Sequence, residues 1–245
     1  MRLTVVGCSP AWPNPGGAQS GYLVEGPGRL LLDCGPGVLS RLRELDGGGW
    51  PRIDAIFLSH MHIDHWADLV GWCWGTHGGS AAHRPRTQLW VGEGLIPALH
   101  ELAAIIFEET LFEGVFDVVE YPIGRPFTIA GFDALALPTR HYDMPTHGLR
   151  VSHGGTTVAF SSDTGPCDSI VELARDADLF VCEATLAEGD VEGALRGHLN
   201  AAEAVAAFTA AGARRLLLTH RPYERPAPAG VELAYDGLVI DLGSA

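Results

Sequence analysis

The sequence predicts an α/β protein in which two mixed β-sheets pack between outer helices, as a four-layer αββα sandwich. Short apolar segments separated by turn signals indicate many strands, and the first strands follow one another directly, as in an antiparallel series. Later strands alternate with helical patterns, which favours helices on the outer faces of the sheets. The chain has 245 residues, of which 47% are hydrophobic, enough for a large core. We therefore expect a single domain over residues 1–245.

The first segment predicts three strands, a helix, a strand and a second helix. The tripeptide "GPG" makes a turn between the second and third strands, and "GGG" ends the first helix, which has Pro36 in its first turn. The second helix begins at Asp64, because acidic residues favour the first turn of a helix. These elements are expected, in order, over residues 2–7, 21–26, 29–35, 36–45, 53–59 and 64–72.

The rest of the chain continues with one long series of strands and three further helices. Asn200 and Glu203 have the spacing of a capping box at the start of the last helix, and Gly212 lies near its end. Four strands are expected between residues 116 and 163. The other elements are a strand over 87–92, a helix over 95–109, a helix over 167–177, a strand over 179–185, a helix over 199–215, a strand over 215–220 and a strand over 238–243.

The composition argues against a long nucleic acid as the partner. The formal charge is −14, from 30 acidic and 16 basic residues, and every basic residue is arginine. A surface of this charge does not attract a chain of phosphates. A small anionic substrate is compatible with it, because bound cations and a few local arginines reverse the field inside one cleft.

No apolar run approaches the roughly 20 residues that a membrane-spanning helix needs. The N-terminal residues also lack the apolar stretch of a signal peptide. We therefore expect no membrane partner and a cytoplasmic location. Five cysteines are scattered without a Cys-x-x-Cys spacing, which argues against a disulfide framework and against a thiolate zinc site.

Polar side chains follow five of the predicted strands at the point where each strand ends. They are His60, His141, Asp163, Glu183 and His220. Because the carboxyl ends of strands in α/β proteins meet at one edge, where sites are built, we expect these side chains to lie together. Imidazole and carboxylate are ligands that Zn²⁺ and similar ions prefer. The pattern therefore predicts a metal site.

The stretch "HMHIDH" indicates two ions rather than one. Its first two histidines are two positions apart on an extended segment and point the same way, whereas its aspartate and third histidine begin a helix and face a second ion. The predicted ligands are His60, His62 and His141 for one metal and Asp64, His65 and His220 for the other, with Asp163 as the bridge. His147 and His153 are the alternatives to His141 as the third nitrogen.

This pattern resembles the His-x-His-x-Asp-His signature of the metallo-β-lactamase superfamily. Asp33 in "LLLDCG" matches the structural aspartate of that family, and His141, Asp163 and His220 match its later metal motifs in order. The resemblance extends from about residue 3 to about residue 242 and implies the αββα sandwich. It also implies a hydrolase with two Zn²⁺ ions, for which Mn²⁺ is an alternative.

Two further motifs resemble the ribonuclease Z-like branch of this superfamily. Glu183 stands in a Glu-Ala-Thr motif and His198 in a Gly-His motif; the resemblance implies that the histidine contacts the scissile phosphate and that the glutamate orients it. We expect His198 to protonate the leaving oxygen, and Asp64 to orient the hydroxide shared by the two metals that attacks phosphorus. An arginine beside a ligand, Arg221 or Arg140, is expected to stabilise the added charge.

Departures from other branches favour a phosphodiesterase. A histidine at the second signature position argues against the flavo-diiron oxygen reducers, and Asp163 stands where class B β-lactamases place a cysteine. Ribonuclease Z enzymes typically insert a long arm, often between the third and fourth motifs, but here His141 and Asp163 are separated only by a hairpin. The opening "GCSPAWPNPGGAQSGYLV" resembles small cyclic-nucleotide phosphodiesterases.

We therefore expect a phosphodiesterase that hydrolyses small phosphodiesters such as cyclic nucleotides. A ribonuclease Z-type endonuclease that processes the 3′ end of transfer RNA is the first alternative, and a lactonase or thioesterase is the second. The resemblance also implies a homodimer. Trp12, Trp72 and Trp74 are candidates either for stacking on a base or for the core.

Overall fold

The computed structural model describes residues 1–78, 86–106, 108–190, 192–193, 195–226 and 228–243. The elements up to the middle of the chain are β1 Arg2–Gly7, β2 Gly21–Glu25, β3 Arg29–Leu32, α1 Val38–Leu45, β4 Ala55–Phe57, α2 Ile63–Trp66, α3 Asp68–Gly78, β5 Thr87–Gly92, α4 Ile96–Ile105 and β6 Phe116–Tyr121. The later elements are β7 Pro126–Ile129, β8 Phe132–Pro138, β9 His147–His153, β10 Thr156–Phe160, α5 Asp168–Ala174, β11 Leu179–Glu183, α6 Ala201–Ala211, β12 Leu216–Thr219, β13 Glu232–Leu233 and β14 Val239–Asp241.

The strands form two seven-stranded sheets. The strand order is β14-β1-β2-β3-β4-β5-β6 in the first sheet and β13-β12-β11-β10-β9-β8-β7 in the second. In the first sheet, β1, β2 and β3 pair antiparallel, and β3 to β6 pair parallel. The second sheet likewise joins an antiparallel half, β7 to β10, to a parallel half, β10 to β13. The predicted pair of mixed sheets is confirmed.

Three apolar clusters separate the four layers. Side chains from both sheets, such as Tyr22, Phe57 and Phe160, form the cluster between the sheets. A second cluster packs α1, α3 and α4 on the outer face of the first sheet, and a third packs α5 and α6 on the outer face of the second. Such burial of apolar faces on both sides of each sheet is what holds an αββα sandwich together.

Several elements are a few residues shorter than predicted, and four differences are larger. Four strands were expected between residues 116 and 163, but the structure has five, because the chain turns at Ala130 and Gly131, both with a positive φ, and so separates β7 from β8. Helix α1 begins after Gly37, which has a left-handed φ of 91°, and not at Pro36.

The helix predicted over residues 64–72 is two helices. The amide of Asp68 donates to the carbonyl of Cys34 at 3.2 Å, and its carboxylate accepts from the amide of Leu39 at 2.8 Å, so the chain turns between α2 and α3. The short strand β13 was not predicted.

Four parallel strands direct their carboxyl ends to one edge of the sandwich. In the first sheet β3 precedes Asp33, and β4 is followed by the histidine-rich loop. In the second sheet β11 ends at Glu183 and β12 is followed by His220. Within the described residues, the helices are too short or too polar to cross a membrane.

Candidate metal centre

Asp33 attaches the end of β3 to the loop that follows β4. It lies directly after β3 with a left-handed φ of 60° and is fully buried. Its carboxylate accepts from the amide and the hydroxyl of Ser59, each at 2.8 Å, and from Nδ1 of His65 at 2.7 Å. Because Nδ1 donates to this carboxylate, Nε2 is the ring atom that faces the centre of the site.

The first group of possible ligands consists of His60, His62 and His141. One nitrogen of each lies within 4.8 Å of the other two. Nδ1 of His141 donates to the carbonyl of Gly197 at 2.8 Å, and its Nε2 lies 2.8 Å from Nδ1 of His62. Nδ1 of His60 lies 3.0 Å from the hydroxyl of Ser59, which leaves its Nε2 for the centre of the group.

The second group consists of Asp64, His65, Asp163 and His220, all of which are buried. Nε2 of His220 lies 3.1 Å from Oδ2 of Asp64, and Nε2 of His65 lies 3.2 Å from the same oxygen. The ring of His220 is held from behind, because its Nδ1 lies 2.9 Å from the hydroxyl of Thr185. Two carboxylates and two imidazole nitrogens therefore converge on one point.

Asp163 lies between the two groups. Its Oδ2 is 3.4 Å from Nε2 of His65, 3.8 Å from Nε2 of His141 and 3.9 Å from Nε2 of His60. Its Oδ1 is 3.5 Å from Nε2 of His220. A carboxylate in this position can contribute one oxygen to each of two neighbouring cations.

The buried nitrogen atoms of this cluster fit a divalent cation. Nε2 of His60 and Nε2 of His65 are buried and lack a hydrogen-bond partner. Leaving a buried polar atom unsatisfied costs about 1–3 kcal/mol, and a cation in each group would satisfy one of these two atoms. The donors are imidazole nitrogens and carboxylate oxygens, the set that Zn²⁺ and similar ions prefer.

Most of the protonation states also suit a cation. Burial lowers the pKa of His60, His62 and His141, so the rings of the first group are neutral at neutral pH. Burial acts to raise the pKa values of Asp64 and Asp163. In both cases interactions with His65 and His220 outweigh burial and lower the pKa, so both carboxylates are ionised. His65 is the exception: burial acts to lower its pKa, but Asp163 and Asp33 outweigh burial and raise the pKa, so a cation would displace the proton of its Nε2.

Glu183 and His198 form a hydrogen-bonded pair beside the two groups. Oε1 of Glu183 accepts from Nδ1 of His198 at 2.8 Å and from the amide of Thr164 at 2.7 Å. The ring of His198 stacks on His220 with centroids 5.8 Å apart and meets the ring of His141 edge-on at 4.8 Å. Burial acts to lower the pKa of His198, but the charge and hydrogen bond of Glu183 outweigh it and raise the pKa to about 9.

The geometry separates the three candidates for the third nitrogen of the first group. Of His141, His147 and His153, only His141 belongs to a ligand group among the described residues. His147 begins β9, and its Nδ1 lies 3.1 Å from the hydroxyl of Tyr121. His153 is at the other end of β9, where its ring contacts Phe132 edge-on.

Arg221 and the three candidate tryptophans differ in what they contact and in how deeply they are buried. The guanidinium of Arg221 donates to the carbonyls of Ala184 and Pro226 at 2.8 and 2.9 Å. It therefore connects the two backbone segments on either side of His220. Trp72 is buried in the outer core of the first sheet and cannot stack on a substrate. Trp12 and Trp74 are half exposed.

Two residues near His198, Tyr142 and Glu192, were not predicted from the sequence. The hydroxyl of Tyr142 donates to Glu192 at 2.6 Å, and the same carboxylate accepts from the amides of Gly197 and His198. The adjacency of Tyr142 to His141 was the one available signal. No sequence pattern links positions that are 50 residues apart.

Known proteins resemble this chain over most of its length. Residues 28–221 match the family described as "Beta-lactamase superfamily domain". The probable metallo-hydrolase YhfI of Bacillus subtilis is 34% identical over 91% of this chain and 88% of its own length. A ribonuclease Z of Mycobacterium bovis is 29% identical over 90% of this chain and 85% of its own length. The crystal structure of YhfI superposes with a TM-score of 0.81 at 28% identity and covers 98% of both chains.

Proposed function

The chain belongs to the β-lactamase superfamily and is a metallo-hydrolase, and from that premise we propose that it is a phosphodiesterase with two Zn²⁺ ions. The substrate class that we propose is small phosphodiesters, with cyclic nucleotides as the first candidates. The similarity to a ribonuclease supports this proposal, because ribonucleases cleave phosphodiester bonds.

One observation carries the proposal: an acid–base pair lies against two adjacent groups of metal ligands. His198 touches the rings of His141 and His220, which belong to different groups, and Glu183 holds its Nδ1 at 2.8 Å. The ring of His198 is protonated at neutral pH, since Glu183 outweighs burial and raises its pKa to about 9. A proton donor in this position is suited to a leaving group that departs as an alkoxide.

We assign one cation to His60, His62 and His141 and the other to Asp64, His65 and His220, with Asp163 shared by both. When bound, such a pair of cations supplies a water of lowered pKa and neutralises charge on the phosphate. Mn²⁺ is the alternative, because carboxylate ligands suit it; the same site binds Zn²⁺ more tightly, so metal availability decides which ion is held.

The residues of the chain would then act on the substrate and the water. Asp64 orients the attacking water, whose oxygen forms a bond to phosphorus. The bond from phosphorus to the leaving oxygen breaks, and that oxygen takes the Nε2 proton of His198. Glu183 keeps Nδ1 of His198 protonated and the ring in place, so that Nε2 faces the leaving oxygen. The proton released by the water returns to His198 through solvent.

Processing of transfer RNA is the second candidate, supported by the ribonuclease Z relative. The net charge of −14 weighs against it. The segment between His141 and Asp163 also weighs against it, because β9 and β10 fill it as a simple antiparallel hairpin and leave no room for an arm. Lactone or thioester hydrolysis is the third candidate, since the same ligand set can activate water against those bonds.

A homodimer, a cytoplasmic location and a single domain over residues 1–245 stay predictions. Sedimentation of the purified protein tests the first of these, with a mass of twice the 26.1 kDa of one chain as the expected result.

The proposed function is tested by a substrate panel on one purified preparation. The panel contains bis(p-nitrophenyl) phosphate, 3′,5′-cyclic nucleotides, a precursor transfer RNA, a lactone and a thioester. We expect hydrolysis of the small phosphodiesters, its loss on treatment with a chelator, and its return with Zn²⁺ or Mn²⁺. Cleavage of the precursor transfer RNA alone would favour the endonuclease, and turnover of only the lactone or thioester would refute a phosphodiesterase.

A variant of His198 tests whether this residue is a proton donor or a metal ligand. We expect His198→Ala to lower kcat for a cyclic nucleotide, whose leaving oxygen needs a proton, by roughly 100-fold or more, in line with the loss of a general acid, and to leave the metal content unchanged. A matching fall in bound metal would identify His198 as a ligand, a geometry that its closeness to His141 and Asp163 allows. His153→Ala is the matched control, because His153 lies outside the ligand groups.

A further inference from the structure

The carboxylate of Glu192 connects two loops that the sequence keeps far apart. Oε1 accepts from the hydroxyl of Tyr142 at 2.6 Å. Oε2 accepts from the amides of Gly197 at 2.9 Å and His198 at 3.0 Å. The first loop follows β8 and contains His141, and the second follows β11 and contains His198.

Gly197 is the point at which these contacts meet. Its amide is held by Glu192, and its carbonyl accepts from Nδ1 of His141 at 2.8 Å. A Cβ at this position would lie 2.5 Å from the ring of Tyr142, so no other residue fits without moving that ring. The peptide unit between Gly197 and His198 accepts from His141 through its carbonyl and donates to Glu192 through its amide, so it links a metal-ligand candidate to the backbone of the proton donor.

The ring of Tyr142 covers this junction. It lies 4.8 Å from the ring of His141 and meets the ring of His198 edge-on at 5.8 Å. Tyr142 has a left-handed φ of 50°, which is costly for a residue with a bulky side chain. The amide of Met144 donates to the carbonyl of His141 at 3.0 Å and closes the turn that contains Tyr142, and the hydrogen bond to Glu192 fixes its side chain.

Glu192 is ionised at neutral pH. Burial acts to raise its pKa, but the hydroxyl of Tyr142 and the two backbone amides outweigh burial and keep the pKa below its usual value. Hydrogen bonds to a charged acceptor are about twice as strong as those between neutral groups. The carboxylate of Glu192 therefore fixes the backbone of residues 197 and 198 through two strong hydrogen bonds.

We propose that Glu192 is a positioning residue, which fixes the backbone of His198 so that its Nε2 faces the leaving oxygen. The inference rests on the proposed function, in which His198 is the proton donor. Glu183 restrains the ring of His198 at Nδ1, but a ring held at one atom still turns if its backbone moves. Glu192 supplies the second restraint, and a shift of about 1 Å in such a group is enough to slow a reaction by roughly 100-fold.

The test compares two substrates of similar shape, bis(p-nitrophenyl) phosphate and diphenyl phosphate. The p-nitrophenolate ion leaves readily without a proton, whereas phenolate is a poorer leaving group and gains more from an acid. The quantity compared is kcat for the nitrophenyl ester divided by kcat for the phenyl ester. We expect Glu192→Gln to raise this ratio by roughly tenfold, which is less than the full rate enhancement of about 100-fold or more that a general acid contributes. The metal content, measured on the same sample, should be that of the wild type.

Three further variants make the result specific. Glu192→Asp keeps the charge and should restore part of the ratio, whereas Tyr142→Phe loses one hydrogen bond and should shift the ratio in the same direction as Glu192→Gln. Glu188→Gln makes the same chemical change at an exposed position of the same segment and should leave the ratio unaltered. If Glu192→Gln does not fold, Tyr142→Phe carries the test alone.

The same measurement on His198→Ala distinguishes failure of the positioning role of Glu192 from failure of the proton-donor role of His198. If His198→Ala raises the ratio but the Glu192 and Tyr142 variants do not, the positioning role is refuted and the proposed function stands. If His198→Ala slows both esters equally, His198 is not the proton donor, and both assignments fail. An equal fall for both esters in Glu192→Gln would indicate a purely structural contact and overturn the inference.

Discussion

Single carboxylates organise the histidine rings of this site. Asp33 holds Nδ1 of His65 at 2.7 Å, and Glu183 holds Nδ1 of His198 at 2.8 Å. In each pair the carboxylate is buried and leaves only Nε2 to face the centre. Such partners fix the tautomer and the ring orientation, which matters for a ligand and for a proton donor alike.

Asp33→Asn tests this arrangement at the predicted second metal. The amide cannot accept from Ser59 and His65 as the carboxylate does, so the ring of His65 loses its fixed tautomer. We expect the affinity for Zn²⁺ to fall by about 10- to 100-fold, the usual effect of removing such a partner. Titration against a competing chelator measures it. Asp54→Asn, an exposed carboxylate that accepts from the amide of Arg29, is the control.

Unchanged affinity in Asp33→Asn would contradict the account, because it would mean that the orientation of His65 does not matter for binding. A fall of equal size in Asp54→Asn would point to general destabilisation instead.

His147 predicts a pH dependence of stability. Burial lowers its pKa to about 4, whereas an unfolded histidine has a pKa of about 6.5. Between these values the unfolded chain binds a proton that the folded chain does not, so stability falls as pH falls from about 6.5 to about 4. The loss amounts to about 3 kcal/mol.

His147→Phe should flatten this part of the profile, because phenylalanine fills the space without titrating. Tyr121 keeps its hydrogen bond to the carbonyl of Leu58 in the variant. Urea unfolding of the two proteins at several pH values between 4 and 7 makes the comparison. Parallel profiles would refute the assignment of this pH dependence to His147.

Most of the site could be predicted from the sequence, for a physical reason. Candidate ligands such as His60 and His220 directly follow strands, and the ends of parallel strands meet at one edge whatever the details of packing. Glu192 was missed because it acts on the backbone of Gly197 and His198. Its role depends on how an irregular loop folds back, and no periodic pattern encodes that.

Among the elements, helix α6 has its start defined by local chemistry. The side chain of Asn200 accepts from the amide of Glu203, and the carboxylate of Glu203 accepts from the amide of Asn200. Arg196 pairs with the same carboxylate through two nitrogens and donates to the carbonyl of His198. The cap of α6 is therefore continuous with the loop that carries His198, the proposed proton donor.

Asn200→Ala should lower the free energy of unfolding by about 1 kcal/mol, the usual cost of losing a capping side chain. Asn200→Asp keeps an acceptor at the same position and should have little effect. Chemical denaturation measures both. Equal losses in the two variants would show that the capping hydrogen bond is not the source of the stability.

The strands and helices were predicted well where their own residues decide the structure. The capping box and Gly212, with its left-handed φ of 67°, delimit α6 as expected. The break between α2 and α3 could not be predicted, since it depends on the contact of Asp68 with Cys34 in another part of the chain. Strand β13 is only two residues long and exists because β12 offers it a partner.

At the scale of the whole molecule, the site joins the two sheets. Asp64 and His65 follow a strand of the first sheet, and Asp163 and His220 follow strands of the second. A bound cation would therefore crosslink the two halves of the sandwich, which otherwise meet mainly through apolar contacts.

Removal of metal should accordingly lower the melting temperature. Without a cation, two ionised carboxylates and two unsatisfied imidazole nitrogens stay buried together among the described residues. A ligand present at 100 times its Kd stabilises the folded state by about 2.7 kcal/mol. Calorimetry of chelator-treated protein, before and after addition of Zn²⁺, should show this recovery. A melting temperature that does not respond to Zn²⁺ would argue against binding at this junction.

The central claim is that seven side chains from both sheets hold two cations. Anomalous diffraction from crystals soaked in Zn²⁺ tests it most directly. We predict two peaks about 3.5–4 Å apart, one beside His60, His62 and His141, the other beside Asp64, His65 and His220, with Asp163 touching both. A single peak, or peaks away from these residues, would contradict the account.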